Sequence, residues 1–140
     1  MKAYDGRRPR TLLSELVLER YGLHTPPELV PAIYGAESPR SAVATLSDLV
    51  EQAAGQGDSV AIAILEESSR ELAGAIAAVY LKLGTSTVPL IVTGGTILHG
   101  RYLKMAFNRA CETQRLAFTV VRFVQPDTML CWHRELFRLY

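Results

Sequence analysis

The sequence has few cysteines and none of the motifs that bind zinc. Its two cysteines, Cys111 and Cys131, stand twenty positions apart, and neither belongs to a CxxC pair or has a histidine at zinc-ligand spacing. This pattern excludes a zinc finger and a fold held together by several disulfides. We expect two free thiols in a reducing compartment, with a single disulfide as the open alternative.

An excess of one charge and long apolar runs are also missing. Fifteen Lys and Arg against fourteen Asp and Glu leave a net charge of +1, too small to hold nucleic acid or an anionic membrane. No window reaches the ~18 uninterrupted apolar residues of a membrane span, and no apolar segment follows the first basic residues as in a signal peptide. We therefore predict a cytoplasmic protein with neither nucleic acid nor a membrane as partner. The basic cluster Lys2, Arg7, Arg8 and Arg10 is interpreted as solvated.

The sequence contains enough hydrophobic residues to form a core. Hydrophobic residues make up 49% of the 140 residues and charged residues 21%, which predicts one folded domain or one lobe of a larger protein. The pattern of apolar residues changes along the chain, so we divide the sequence into three segments. These are a helical segment at 1–56, an α/β segment at 57–126 and an apolar tail, possibly helical, at 127–140.

The segment 1–56 predicts three short helices. Apolar spacing predicts the first from Thr11 to Tyr21, ended by Gly22. Thr25-Pro26-Pro27-Glu28 has the pattern of a capping box, in which the threonine hydroxyl accepts from a backbone amide and the glutamate reaches back. A third helix begins at Ser38-Pro39 and continues to Gly55.

The segment 57–126 predicts a parallel pair of strands. Asp58 or Ser59 caps a helix that continues to Leu83, and its nearly all-round apolar surface predicts that it is largely buried. Within it, Gly74 is expected to pack closely against a sheet. The remaining elements are a buried strand at 88–92, a helix at about 100–114 and a second strand at 118–124.

Most residues with chemical potential assemble into no catalytic motif. His24, His99 and His133 match neither a zinc nor a nucleophile pattern, and the preferred interpretation of His99 is a surface residue, with contact to a phosphate as the alternative. Glu66, Glu67 and Glu71 are predicted to form a solvated stripe, and Trp132 to be a packing or interface residue. We predict no catalytic residue and no metal ligand.

The stretch Thr93-Gly94-Gly95-Thr96 is the candidate site. Glycines at the carboxyl end of a strand let a ligand approach the backbone, and ligands of open α/β sheets bind at that end. The pattern is neither GxGxxG nor a Walker loop, so a tight structural turn stays open as the alternative.

Several segments, in order, resemble one family. Ala3-Tyr4-Asp5-Gly6-Arg7-Arg8-Pro9-Arg10-Thr11 is similar to the AYDGRGPPT segment of the BadF/BadG/BcrA/BcrD-type ATPases, which include the N-acetylglucosamine kinases. Ile33-Tyr34, Gly57-Asp58 with Ala61, and the run Val88 to Gly95 follow in the family's order. The resemblance covers roughly residues 3–126.

The resemblance implies an α/β fold, the C-terminal lobe of an actin-like (ribonuclease-H-like) ATPase, with an N-terminal helical insertion. Such proteins bind ATP and Mg²⁺ between two lobes. Carried over, Gly94 and Gly95 approach the nucleotide, with Thr93 and Thr96 as neighbours. The DGGGT-like phosphate hairpin and the catalytic aspartate belong to the other lobe, and neither is found in this sequence.

Because the resemblance covers only one of the two lobes that enclose ATP, it implies little or no kinase activity from the chain alone. We expect a truncated gene, an excised domain or a subunit whose N-terminal lobe is supplied in trans. A non-catalytic interaction or assembly domain derived from the same fold is the alternative.

The tail departs from the family after Pro126, where Asp127 to Trp132 replace a Gly-Ala-Leu helix start. Its apolar residues predict a homo-oligomer, with the tail either in the interface or folded over the footprint of the missing lobe. The alternative is a tail that completes its own core.

Overall fold

Helices make up most of the chain that the structure describes. The computed structural model describes residues 3–7, 9–84, 90–114 and 121–123. The chain divides into two compact units, Met1–Glu67 and Ser68–Tyr140. The elements within the described ranges are, in order, α1 (Leu12–Tyr21), a 3-10 turn (Pro26–Glu28), α2 (Leu29–Tyr34), α3 (Pro39–Ala44), α4 (Ser47–Gly55), α5 (Ser59–Leu83), β1 (Leu90–Val92), α6 (Gly95–His99), α7 (Arg101–Thr113) and β2 (Val121–Phe123).

Helix α1 begins and ends as predicted. The Thr11 hydroxyl accepts a hydrogen bond from the amide of Leu13 at 3.2 Å. At the other end Gly22 adopts a left-handed conformation with φ of 61°, and its amide donates to the carbonyl of Glu19. Such a glycine ends a helix because other residues pay a steric penalty for a positive φ.

The predicted capping box before α2 forms with a different bond. The Thr25 hydroxyl donates to Glu28 Oε1 at 2.5 Å and accepts no backbone amide. The two prolines lie in a 3-10 turn, and α2 then ends at Tyr34, before Gly35.

The single helix predicted from Ser38 to Gly55 is wrong, because the structure divides it into α3 and α4. The Ser38 side chain caps α3 as predicted, accepting from the amide of Ser41. At the break, the Thr45 hydroxyl donates to the carbonyl of Ala42 and the Ser47 hydroxyl to that of Ala44. These local bonds compete with the helical backbone pattern and favour a turn there.

Helix α5 has the predicted bounds, but the prediction that it is largely buried is wrong. Its buried side chains follow the four-residue spacing of a single face, while Ile64, Leu72 and Leu81 on other faces are 40%, 45% and 83% exposed. A Cβ at Gly74 would meet no heavy atom within 4 Å, so the predicted close packing at this glycine is also wrong.

The two strands form the predicted parallel pair. Leu90 lies opposite Val121 and Val92 opposite Phe123, with α6 and α7 in the connection. The burial predicted for the strand at 88–92 holds only partly for its described residues, since Leu90 and Val92 are half-buried and Ile91 is 42% exposed. Alternate side chains of a strand face opposite ways, so Ile91 lies on the open face.

Each unit has its own apolar core. In the first unit, the buried apolar side chains are Val17, Leu49, Ala53, Ala54, Ala61 and Leu65. In the second unit, they are Ala73, Tyr80, Ile97, Leu103, Phe107, Ala110 and Cys111. Phe107 of α7 is 2% exposed. It also lines the cavity that the loop after β1 borders.

Candidate functional site

The predicted Gly-Gly loop lies between a strand and a helix. Thr93 and Gly94 follow β1 directly, and Gly95 is the first residue of α6. Gly94 has φ of +116°, a backbone conformation that residues other than glycine rarely adopt. A Cβ at Gly94 or Gly95 would meet no heavy atom within 4 Å, so the space above both backbones is open.

A short helix, α6, separates this loop from α7. The sequence analysis did not predict α6. The amide of Leu98 donates to the carbonyl of Gly94 at 3.0 Å, and that of Gly100 to Thr96 at 2.8 Å. The ammonium group of Lys104 on α7 donates to the carbonyl of Leu98. This bond joins α7 to the short helix α6, which follows the loop.

The loop borders a groove of about 450 Å³, which we call the loop groove. This volume lies within the range of small-molecule sites, ~300–1,000 Å³. Its lining residues come from α5, β1, the loop, α6 and α7. The lining residues are Leu72, Ile76, Leu90, Ile91, Val92, Thr93, Gly94, Gly95, Thr96, Ile97, Leu103 and Phe107.

The lining of the loop groove favours a flat apolar group over a phosphate. Its polar side chains are the hydroxyls of Thr93 and Thr96, and no lysine, arginine or histidine is among the described lining residues. A phosphate bound here would lack a cationic partner. An aromatic ring, in contrast, would contact apolar side chains and open glycine backbone.

The other described residues weighed from the sequence are not among the lining residues of this groove. His24 and His99 are exposed, as are Glu66, Glu67 and Glu71 on α5. Cys131, Trp132 and His133 lie outside the described residues. No three metal-ligating side chains come together in the described part of the chain. Among the described helices, none has the length and apolarity to cross a membrane.

Cys111 is the free cysteine of the described residues, and it is buried on α7. Burial raises the pKa of its thiol to about 11, and the neighbouring Glu112 carboxylate adds to this. A thiol so rarely ionised at neutral pH is a weak nucleophile, so the structure supports a packing role.

A polar cluster in the first unit joins two of the segments that carry the family resemblance. Both oxygens of Asp58 lie 2.9 Å from the Thr11 hydroxyl, which donates to this carboxylate. The amide of Leu12 donates to Asp58 Oδ2 at 2.6 Å and that of Ala61 to Oδ1 at 2.8 Å. Asp58 therefore caps α5, as predicted, and also the start of α1, which its sequence position did not indicate.

These hydrogen bonds lower the pKa of Asp58. Partial burial alone would raise it, but the hydrogen bonds from Ala61, Thr11 and Leu12 outweigh burial and lower the pKa below its usual value of 3.8. The carboxylate is thus charged near neutral pH and is held at the positive ends of two helices.

A second cavity, of about 380 Å³, lies beside this cluster. Arg10 and Glu15 bring one charge of each sign to its lining, and Tyr4 brings an exposed ring. Of the predicted basic cluster, Arg7 pairs with Asp5, whose Oδ2 lies 2.8 Å from Arg7 Nε, and this bond lowers the pKa of Asp5. No sequence pattern indicates this cavity, because its lining comes together only through the fold of the first unit.

Comparison with known proteins gives one relationship of note. No protein-family model matches the chain. The chain is 31% identical over 111 residues to the N-acetylmuramic acid/N-acetylglucosamine kinase of Clostridium acetobutylicum. The match covers 78% of this chain and 36% of the relative, so the chain spans about a third of that kinase. The chain is therefore similar to a part of a sugar kinase.

Proposed function

We propose that this chain is the nucleotide-side lobe of a sugar kinase of the N-acetylglucosamine kinase type. The similarity to part of such a kinase supports the class. The parallel pair β1–β2 with helices in its connection is compatible with the C-terminal lobe of an actin-like ATPase, which is the fold we propose. The proposal includes a cytoplasmic location, where ATP is available.

The loop groove is the observation that carries this proposal. It lies at the carboxyl end of β1, where ligands of α/β sheets bind. Its apolar walls and open glycine backbone fit the adenine ring of ATP, with Gly94 and Gly95 in backbone contact and Thr93 and Thr96 beside them. Since the described lining holds no cation, the phosphates and Mg²⁺ would be held by groups outside this groove.

The proposed reaction is phosphorylation of a sugar hydroxyl by ATP. Phosphoryl transfer requires positioned metal and phosphate contacts, and this sequence has no DGGGT-like hairpin to supply them. We therefore propose that the chain alone is inactive and that an N-terminal lobe supplied in trans would complete the cleft. An assay of N-acetylglucosamine phosphorylation by the purified chain is expected to give no product above background.

Nucleotide binding is tested by titration calorimetry with ATP and Mg²⁺. Gly95→Val is the informative variant, because Gly95 has no positive φ and its side chain would enter open space beside the ligand. We expect binding to weaken about tenfold or more, the equivalent of ~1.4 kcal/mol. Gly74→Ala is the matched control, since it changes a glycine outside the groove, and it should leave the affinity unchanged.

The same titration decides between the two functional classes. Equal affinity of the parent chain and Gly95→Val would remove the loop groove as the nucleotide site. No binding at millimolar ATP would contradict the kinase lobe and favour the non-catalytic assembly domain. That domain has some support of its own, because Val79, Leu81 and Leu83 of α5 are more than half exposed.

A further inference from the structure

The second cavity, which we call the α1 cavity, lies wholly within the first unit. Its volume of about 380 Å³ falls within the range of small-molecule sites, ~300–1,000 Å³. Tyr4 and Arg10 line it from the segment before α1, Ser14 and Glu15 from the first turn of α1, and Pro26 from the 3-10 turn. The proposed kinase reaction has no use for this cavity, so a ligand bound here would be additional to ATP.

Two opposite charges line the α1 cavity without forming a pair. Within the described residues, neither the Arg10 guanidinium nor the Glu15 carboxylate has an ion pair or a hydrogen bond. Asp5, the other carboxylate of the segment before α1, pairs with Arg7 instead. Both charges of the cavity are therefore open to a ligand.

The first turn of α1 adds no open backbone donor to the cavity. The amide of Leu12 donates to Asp58 Oδ2 at 2.6 Å. The amides of Leu13 and Ser14 donate to the hydroxyl and the carbonyl of Thr11. Recognition of a ligand would therefore depend on the side chains of the lining and not on the N-terminus of a helix.

The remaining lining offers ring surfaces and one hydroxyl. The Tyr4 side chain is 59% exposed, and the Pro26 ring is fixed in the 3-10 turn. Both rings can pack against an aromatic group of a ligand. The Ser14 hydroxyl has no hydrogen-bond partner within the described residues, so it can donate to a ligand or accept from it.

We propose that the α1 cavity binds a small zwitterion, an α-amino acid with an aromatic side chain. The Arg10 guanidinium would bind its carboxylate through two parallel hydrogen bonds, and the Glu15 carboxylate would pair with its ammonium group. The aromatic side chain would lie against Tyr4 and Pro26. The proposal does not depend on the kinase function, because the loop groove belongs to the other unit.

The two charges also exclude ligands that carry only one. An anion would be attracted by Arg10 and repelled by Glu15, and a cation would meet the reverse, whereas a zwitterion matches both charges. A neutral sugar would leave both side chains without a charged partner. The cavity is therefore expected to prefer the zwitterion to either ion and to a sugar.

Titration calorimetry of the full chain with L-phenylalanine tests the proposal. N-acetyl-L-phenylalanine lacks the ammonium charge and L-phenylalaninamide lacks the carboxylate, so each should bind about tenfold more weakly or worse. Arg10→Gln and Glu15→Gln should each weaken L-phenylalanine binding by a similar factor. Glu19→Gln and Arg20→Gln are the matched controls, because both residues are exposed on α1 and lie outside the lining, and they should leave the affinity unchanged.

The analogues separate recognition of charge from a loss of structure. Arg10→Gln removes a cation that repels L-phenylalaninamide, so it should bind this analogue at least as well as the parent chain does. By the same reasoning, Glu15→Gln should bind N-acetyl-L-phenylalanine at least as well. A variant that merely distorts the cavity would weaken all three ligands.

Four results would overturn the proposal. They are no binding of L-phenylalanine at millimolar concentrations, equal affinity for L-phenylalanine and its two analogues, and an equal loss of all three ligands in Arg10→Gln and Glu15→Gln. The fourth is tighter binding of N-acetylglucosamine that both variants abolish, which would assign the cavity to a sugar. Titration with ATP and Mg²⁺ should be the same in all these variants, so failure of this proposal leaves the proposed function untouched.

Discussion

Asp58 is the residue on which most of the described long-range polar contacts of the first unit converge. One carboxylate accepts from the Thr11 hydroxyl and from the amides of Leu12 and Ala61, so it serves two helix starts that are far apart in the sequence. Each of these amides would otherwise lack an intrahelical acceptor. Removing the charge should therefore weaken both helix starts at once.

We expect Asp58→Asn to lower the free energy of unfolding by ~1–3 kcal/mol at pH 7, the range for a lost helix cap combined with charge-assisted hydrogen bonds. The folded-state pKa of Asp58 is lowered, so its stabilising contribution is complete above the usual value of 3.8 and is lost as the pH falls through the folded pKa. Urea unfolding at several pH values should thus show the two proteins converging in acid. Asp48→Asn, the same change at an exposed site in the first turn of α4, should cost no more than ~0.5 kcal/mol. An equal loss in both variants would contradict the special role of Asp58.

At the scale of elements, α5 shows why an apolar sequence does not require a buried helix. Its buried positions lie on one face, and Gly74 has open space where a Cβ would be. Glycine in a helix interior costs conformational entropy without a compensating contact here.

Gly74→Ala should therefore stabilise the protein by ~0.4–1 kcal/mol. Gly22→Ala is its counterpart, because Gly22 has φ of 61°, where alanine is strained by ~1–2 kcal/mol. Thermal unfolding should show opposite shifts in melting temperature for the same chemical change. A lower melting temperature for Gly74→Ala would indicate that this glycine has a close neighbour after all.

The helix ends show how much of the fold the sequence could predict. The helix ends at Thr11, Gly22 and Ser38 depend on bonds within a few residues, so the sequence indicated their positions correctly. The break between α3 and α4 also depends on local bonds, those of the Thr45 and Ser47 hydroxyls. The sequence did not predict it, because the helical spacing of apolar residues continues across the break.

Only the part of the candidate site formed by residues adjacent in the sequence could be predicted. The strand-to-helix glycine pattern identified Thr93 to Thr96 from the sequence. The groove wall from Leu72 and Ile76 was not predictable, because it depends on how α5 packs beside β1. The bond between Thr11 and Asp58 spans 47 positions, and no local pattern predicts such a partner.

At the scale of the whole molecule, the homo-oligomer inferred from the sequence stays a prediction. Exposed apolar side chains of the described residues, such as Tyr34 at 77% and Leu81 at 83% exposure, are where we expect it to form. Sedimentation velocity of the full chain should show an average mass that rises above 15.4 kDa with concentration. A full chain that stays at 15.4 kDa across micromolar concentrations would contradict the prediction.

The same runs on a chain truncated after Asp127 test the role expected of the tail. If the tail completes the core of its own chain, truncation should not dissociate the oligomer. Dissociation to monomers on truncation would instead place the tail in the interface between copies.

The shared carboxylate of Asp58 also links two amide protons that are far apart in the sequence. Leu12 donates to one of its oxygens and Ala61 to the other, so opening of this cluster exposes both amides in one event. In hydrogen–deuterium exchange, the two amides should therefore lose protection together when the Thr11 hydroxyl is removed by Thr11→Val. Mid-helix amides of α7, in the other unit, should keep theirs. A single side chain thus makes the first turns of α1 and α5 one cooperative opening unit.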